Sequence, residues 1–88
     1  MSGSRVGAGR HAWTDDERAV YAEVGARIRA TRRRLGLSQA ALAEMCGLVR
    51  SSVTNIENGR QGMSLPLFLS LADALNVDPA DLLNGGPR

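Results

Sequence analysis

A chain of 88 residues has room for one domain with a small core, and its 43% hydrophobic content is ordinary for a globular protein. The net charge is only +2, but residues 27–60 hold seven arginines against two acids while both flanks are negative, which favours a nucleic-acid partner. One cysteine excludes an internal disulfide, one cysteine with one histidine makes no convincing metal set, and no apolar run has the length of a membrane span, so we predict no metal, no cofactor and no membrane contact.

The first thirteen residues have the composition of a flexible N-terminal arm. Residues 1–13 are small, glycine-rich and without periodicity. They also lack the apolar centre of a signal peptide, which predicts a cytoplasmic protein. Arg5, Arg10 and His11 have the chemistry of minor-groove contacts, although a plain disordered tail is the more ordinary interpretation. Residues 85–88 are predicted to form a flexible C-terminal tail, so the domain is predicted to span residues 14–84.

A long first helix is predicted to begin after Thr14. The sequence T-D-D-E forms a capping box, and its acids complement the helix dipole. An apolar stripe extends the helix to about Arg34, where Gly36 ends it. The stripe consists of Val20, Val24, Ile28 and Leu35. We expect the first turns to cover one side of the core, with Trp13 or Tyr21 packing across it; a contact with a partner is the alternative.

Two short helices joined by a tight turn are predicted over residues 38–59. Ser38 is a natural N-cap for the first of them. Gly47 ends this helix, because glycine accepts the left-handed conformation that often follows a last turn. The second helix is predicted from about Arg50 to Asn58, and Gly59 closes it.

The second of these helices has a core side and a polar side that carries no acid. Its inner positions are Ser52, Val53 and Ile56, and its outer positions are Arg50, Ser51, Thr54, Asn55 and Asn58. Arg can grip guanine O6 and N7, Asn can grip adenine N6 and N7, and Ser or Thr can serve either base. We interpret the outer side as a surface that reads DNA. The alternative is a neutral, solvated face of a small helical domain.

Two further helices complete the domain. Ser64 caps a fourth helix with Pro66 tolerated in its first turn, and a short last helix is predicted from about Pro79 to Leu83. Together they carry more apolar surface than a small monomer needs. The candidate contacts of a two-fold dimer are Leu67, Ala74, Leu82 and Leu83. The alternative is an ordinary core with scattered exposed leucines.

Three motifs at fixed spacing give the chain a family resemblance. L-S-Q-x-x-L-A-x-x-x-G, V-x-x-I-E-x-G and S-L-x-x-x-x-x-L-A-x-A-L-x-V together resemble the phage-repressor and Cro-like helix-turn-helix family. The matching residues are Leu37, Ser38, Gln39, Leu42, Ala43, Gly47, Val53, Ile56, Glu57, Gly59, Ser64, Leu65, Leu71, Ala72, Ala74, Leu75 and Val77. The match covers about Val24 to Leu83. It implies an all-α, compact five-helix DNA-binding domain whose third helix enters the major groove, usually as a dimer.

The resemblance also implies roles for residues around the third helix. Arg32 falls where the family carries an arginine that pairs with the Glu57 position, which would cancel the charge of that acid. Gln39 matches a position that contacts a phosphate and often braces the first residue of the recognition helix. Asn58, with Arg60 in the following loop, is expected to grip the DNA backbone. The other arginines of the first helix are phosphate contacts or a solvated face: Arg27, Arg29, Arg33 and Arg34.

One departure from the family lies at the tip of the third helix. Val49 stands where a Ser or Thr N-cap is common, and its side chain cannot cap the helix. An apolar group at this tip could instead touch a thymine methyl. The predicted base-reading set is therefore Val49, Arg50, Ser51, Thr54 and Asn55.

These features predict a sequence-specific transcriptional regulator, most simply a repressor, that binds double-stranded DNA at a palindromic operator as a homodimer. An autoregulator, a phage repressor, a restriction-modification controller and an antitoxin are all compatible with this prediction. The alternative class is an antitoxin or other protein-interaction module that binds a protein partner, with or without DNA. An enzyme is the weakest class, because the sequence has neither a Cys, His and acid cluster nor a phosphate-binding glycine loop.

Overall fold

The computed structural model describes residues 12–84 of the chain. The predicted C-terminal tail, and the predicted arm up to residue 11, lie outside the described residues. Within residues 12–84 the structure has five helices and no strand, which confirms the predicted all-α, five-helix fold. The helices are α1 (Asp15–Arg34), α2 (Gln39–Met45), α3 (Arg50–Glu57), α4 (Leu65–Ala74) and α5 (Pro79–Asn84). Helix α3 ends one residue earlier, and α5 one residue later, than the sequence predicted.

Three of the helices begin at side-chain caps that the sequence predicted. Thr14 Oγ1 accepts from the backbone N–H of Glu17 at 3.1 Å, and the Glu17 carboxylate accepts from the backbone N–H of Thr14 at 2.9 Å. The hydroxyls of Ser38 and Ser64 each accept from the backbone N–H three residues later, at 2.9 and 3.2 Å. These bonds satisfy donors that have no partner inside a helix, so they fix where α1, α2 and α4 begin.

Left-handed residues end four of the helices. Gly36, Gly47 and Gly59 follow the last turns of α1, α2 and α3 with φ of 75°, 69° and 72°, as predicted. Asn76 takes the same conformation, with φ of 57°, after α4. Asparagine tolerates this region better than most residues that carry a Cβ, so it can end a helix where glycine is absent.

The core lies at the centre of the domain and receives side chains from every helix. Its most enclosed members are Ile28, Leu42, Val53, Ile56, Leu71, Leu75 and Leu82. Burying each such side chain contributes about 1.5–3 kcal/mol. Because the inward positions of α2 and α3 are held in this core, the opposite side of α3 faces outward.

Helix α1 passes very close to the end of α3. Gly25 is buried, and a Cβ built there would collide with the carbonyl oxygen of Ile56 and lie 2.8 Å from that of Glu57. A glycine inside a helix costs stability relative to alanine, and it marks places where two backbones approach closely. The crossing of α1 and α3 therefore depends on the missing side chain at residue 25.

Arg27 holds the last helix against the first. Its Nη1 donates to the carbonyl oxygens of Leu82 at 3.2 Å and Leu83 at 2.7 Å, and its Nη2 lies 3.5 Å from Glu23 Oε1. A cation at the C-terminal carbonyls of a helix complements the helix dipole. Arg27 thus has a structural role that the sequence did not predict.

Candidate nucleic-acid interface

Helix α3 has the two sides that the sequence predicted. Val53 and Ile56 are buried on the inner side, while Arg50 and Ser51 are exposed and Asn55 is half-buried on the outer side. The only acid of α3, Glu57, is buried as well. The outward surface of the helix therefore presents hydrogen-bonding groups and one guanidinium, without a carboxylate.

The buried acid pairs with an arginine of α1, as predicted. Arg32 Nε donates to Glu57 Oε2 at 2.6 Å, and Arg32 Nη2 donates to Glu57 Oε1 at 3.1 Å. The third guanidinium nitrogen of Arg32, Nη1, donates to the backbone carbonyl oxygen of Leu37 at 2.8 Å. The hydrogen bond to Glu57 raises the pKa of the Arg32 guanidinium against the opposing effect of burial, so the guanidinium stays charged.

A hydrogen-bonded chain continues from this pair to the middle of α3. Gln39 Nε2 donates to Glu57 Oε1 at 3.0 Å, and the Thr54 hydroxyl donates to Gln39 Oε1 at 2.9 Å. Four side chains of α1, α2 and α3 are thereby linked, which fixes the orientation of α3 against the other two helices. The resemblance implied that Gln39 braces the first residue of the recognition helix; in the structure its partners are Thr54 and Glu57.

The role of Thr54 is narrower than the sequence indicated. Its side chain is half-buried and its hydroxyl proton is used by Gln39, with the Arg50 carbonyl oxygen at 3.2 Å as a second acceptor. Only the methyl group and the two lone pairs of the hydroxyl oxygen remain for an outside partner. Local sequence could not reveal this contact, because residues 39 and 54 belong to different helices.

The two ends of α3 carry the other predicted contacts. Val49 makes no side-chain cap and is 66% exposed at the tip, as its departure from the family implied. At the far end Asn58 is exposed, and the backbone N–H of Arg60 donates to the carbonyl oxygen of Asn55 at 2.8 Å. That bond holds the start of the following loop against α3 and places the exposed Arg60 side chain beside its end.

The predicted dimer contacts divide between the core and the surface. Leu82 is 2% exposed and belongs to the core of its own subunit, so the prediction of a partner contact there is replaced by a packing role. Leu82 is the one buried residue of the six-residue helix α5, so it is the side chain that packs this helix into the core. Leu67 and Ala74 are half-buried against the core, and Leu83 is exposed.

Other chemistries find little support in the described part of the chain. Between residues 12 and 84 no three His, Cys, Asp or Glu side chains are grouped closely enough to hold a metal ion. Among the five described helices, none combines the length and the apolar character needed to cross a membrane. Cys46 is half-buried against the core, and burial raises the pKa of its thiol, as expected for a packing residue.

Comparison with known proteins places this geometry in a defined group. A model of the helix-turn-helix domain matches residues 23–84. The competence pilus inhibition repressor of Acinetobacter baylyi is 37% identical over 60 residues, which are 68% of this chain and 54% of that protein. The chain thus spans about half the length of that relative.

Two solved structures are similar over most of the domain. The restriction-modification controller protein C.AhdI from Aeromonas hydrophila superposes with a TM-score of 0.70 at 42% identity, over 73% of this chain and 97% of that one. The P22 c2 repressor, solved in complex with a synthetic operator, superposes with a TM-score of 0.67 at 35% identity, over 72% of this chain and 96% of that one.

Proposed function

The chain belongs to the helix-turn-helix domain family, as its three motifs predicted, and from that membership we propose that it regulates transcription by binding operator DNA. Repression is the simplest form of this regulation, because a protein seated on an operator that overlaps a promoter excludes polymerase from it. The observation that carries the proposal is the outer side of α3, where polar side chains face outward while Glu57 is buried against Arg32. A polyanionic duplex meets this surface without repulsion from a carboxylate.

In this proposal α3 lies in the major groove and its first turn meets the base edges. The guanidinium of Arg50 fits guanine O6 and N7, and the amide of Asn55 fits adenine N6 and N7. Ser51 can serve either base, and Val49 can contact a thymine methyl. Thr54 contributes its methyl group and the lone pairs of its hydroxyl oxygen, which its bond to Gln39 leaves free.

The DNA backbone is held by groups that border α3. Asn58 and Arg60 lie at its C-terminal end, where both are exposed. Gln39 lies at the start of α2, where backbone N–H groups favour a phosphate. Its side-chain amide already bonds Glu57 and Thr54, so the contact proposed for Gln39 uses its backbone N–H.

Arg50 provides a direct test of base reading. We expect Arg50→Ala to lower the affinity for the preferred operator by about 1–3 kcal/mol and to relax the preference at one base pair, because a bidentate contact to guanine is lost. The measurement is a set of binding isotherms on the operator and on its single-base variants. Arg50→Lys is the matched control, because it keeps the charge but not the fork. An equal loss of affinity on the operator and on every single-base variant would contradict base reading, because it would indicate a phosphate contact only.

The same proposal includes a homodimer that uses the face of α4 and α5. Leu83 is 50% exposed and lines an apolar groove of about 220 Å³ together with Val20 and Leu65. Leu69 of α4 is exposed as well, and Leu67 and Ala74 are half-buried on the other side of the same helix. A two-fold axis through this face would place two copies of α3 on half-sites about one helical turn, ~34 Å, apart.

Sedimentation analysis tests the dimer. We expect Leu83→Asp to weaken self-association by about 30-fold or more, because a charge would replace an apolar side chain at the interface. Leu35→Asp is the matched control. Leu35 is similarly exposed, at 48%, but it follows the last turn of α1, whereas the groove is lined by Val20 near the start of that helix. A monomeric wild-type protein, or equal effects of the two substitutions, would contradict this interface.

The alternative of an antitoxin or other protein-interaction module stays a prediction. It requires a specific partner that co-purifies with the chain and is retained when α3 is altered. The Arg50→Ala variant supplies that comparison, because its substitution lies on the exposed side of α3 and away from the face of α4 and α5.

A further inference from the structure

The first two turns of α1 lie outside the region that matches the family model, which begins at residue 23. They are packed against the loop that follows α3. Trp13 and Tyr21 stack with ring centroids 4.5 Å apart, and a Cβ built on Gly62 would lie 3.1 Å from the Tyr21 ring and 3.2 Å from the Trp13 ring. The two aromatic rings therefore hold the start of α1 beside residues 59–62.

A second contact brings the same part of α1 to the end of α3. A Cβ built on Gly59 would lie 2.8 Å from the Cα of Ala22, so the two backbones touch. Arg18 precedes Ala22 by four residues and therefore lies on the same side of α1, one turn closer to its N-terminus. This places the exposed Arg18 on the side of α1 that faces the loop.

An open groove runs between these elements. Its lining residues are Ala12, Trp13, Arg18, Ala22, Gly59 and Arg60. Of these six described residues, two carry guanidinium groups, one from each side of the groove, and none is acidic. Asp16, at helical spacing, projects from the opposite side of α1, and the carboxylate of Glu17 is bonded to the backbone of Thr14. Asp15 lies on the same side of α1 as Arg18 and Ala22 by spacing, but it is not among the described lining residues. The groove is thus lined by two cationic side chains, Arg18 and Arg60, and by the aromatic ring of Trp13.

We propose that this groove binds the phosphodiester backbone of DNA beyond the segment that α3 reads, with Arg18 as a phosphate contact additional to Arg60. The inference rests on the proposed function. A strand gripped by Arg60 at the end of α3 can continue along the groove to Arg18. The start of α1 thereby lengthens the footprint on the DNA without adding base specificity.

Salt dependence tests Arg18. Each phosphate contact contributes about 0.9 to the slope of log affinity against log salt concentration. We expect Arg18→Ala to reduce this slope by about 0.9 for each bound subunit, and to weaken binding by the same factor on every sequence. Arg18→Lys is the matched control, because it keeps the positive charge at the same position and should keep the wild-type slope.

The duplexes for this test carry the operator selected from a randomised pool, with or without about one turn, roughly 10 base pairs, of flanking sequence. We expect the slope change only on the longer duplex. Trp13 is the single tryptophan of the chain, so its fluorescence reports directly on the groove. The longer duplex should shield Trp13 from iodide quenching, and the shorter one should not.

A wild-type slope for Arg18→Ala, or equal quenching of Trp13 with the two duplexes, would overturn the inference while leaving the proposed function intact. Failure of the proposed function has a different signature, in which the wild-type protein shows no preference for the selected operator over a shuffled duplex. The Arg18 slope change would still support a cationic groove in that case. Thermal unfolding of both variants verifies that neither substitution disturbs the fold.

Discussion

Replacing Glu57 with alanine is expected to lower the free energy of unfolding by about 3–5 kcal/mol, because it leaves the buried guanidinium of Arg32 without its partner. The Glu57 side chain is 1% exposed and accepts hydrogen bonds from both Arg32 and Gln39. Small domains are stable by only about 5–15 kcal/mol, so this loss would remove a large share of the stability of the domain.

Urea unfolding followed by circular dichroism measures this effect. Glu44→Ala is the matched control, because Glu44 is an exposed acid on α2 and its removal should change stability by less than about 0.5 kcal/mol. Replacing Arg32 and Glu57 together by methionine should recover much of the loss, since neither charge is then left unpaired. Equal stability of the Glu57→Ala and Glu44→Ala variants would show that the ion pair does not hold α3 in place.

The second large loss of stability is expected where α1 crosses α3. Gly25→Ala adds one methyl group, which would collide with the Ile56 carbonyl at the crossing of α1 and α3. Alanine is normally better than glycine in a helix by about 0.5–1 kcal/mol, so the intrinsic preference and the packing act in opposite directions. We expect packing to dominate, with a net loss of about 3 kcal/mol, because backbone atoms cannot move aside as a flexible side chain can.

Ala26→Gly separates the two effects. Residue 26 is exposed on the same helix, so this substitution reports helix preference alone and should cost about 1 kcal/mol. The folded fraction of the Gly25→Ala variant should also bind operator DNA more weakly than the wild type does, because the added methyl group would displace the C-terminal end of α3. A Gly25→Ala protein as stable as the wild type would contradict the close crossing of α1 and α3.

The arginine, glutamate and glutamine beneath α3 have a role beyond stability. A buried ion pair gives little net stabilisation compared with well-packed apolar side chains, but its geometry is directional. Arg32, Glu57, Gln39 and Thr54 join three helices through bonds of 2.6 to 3.1 Å. The proposed base contacts depend on the angle of α3, and this network fixes that angle from the protein side.

Features with local determinants could be predicted from the sequence. Thr14, Ser38 and Ser64 cap their helices through backbone groups three residues away, so a short window contains the whole signal. The outer side of α3 follows from helical periodicity in the same way. The pairing of Arg32 with Glu57 joins distant positions, and it was predictable only because the motifs resemble a known family.

Features that depend on contacts between distant segments could not be predicted. The bonds from Arg27 to the end of α5 span 55 and 56 residues, and the bond from Gln39 to Glu57 spans 18. Leu82 and Leu83 are neighbours in the sequence, and a six-residue helix is too short for its apolar pattern to show which of the two enters the core. Gly25 carried a weak signal as a glycine inside a helix, and only the neighbouring backbone explains it.

Binding of the wild-type chain to DNA tests the central claim most directly. The measurement compares labelled DNA from upstream of its own gene with a shuffled duplex of the same length, at low and physiological salt. Sequence-specific regulation predicts a preference of about a thousandfold or more that persists at physiological salt. Weak, equal binding to both duplexes that disappears as salt is raised would contradict it, because the basic centre of the chain would then supply only nonspecific attraction.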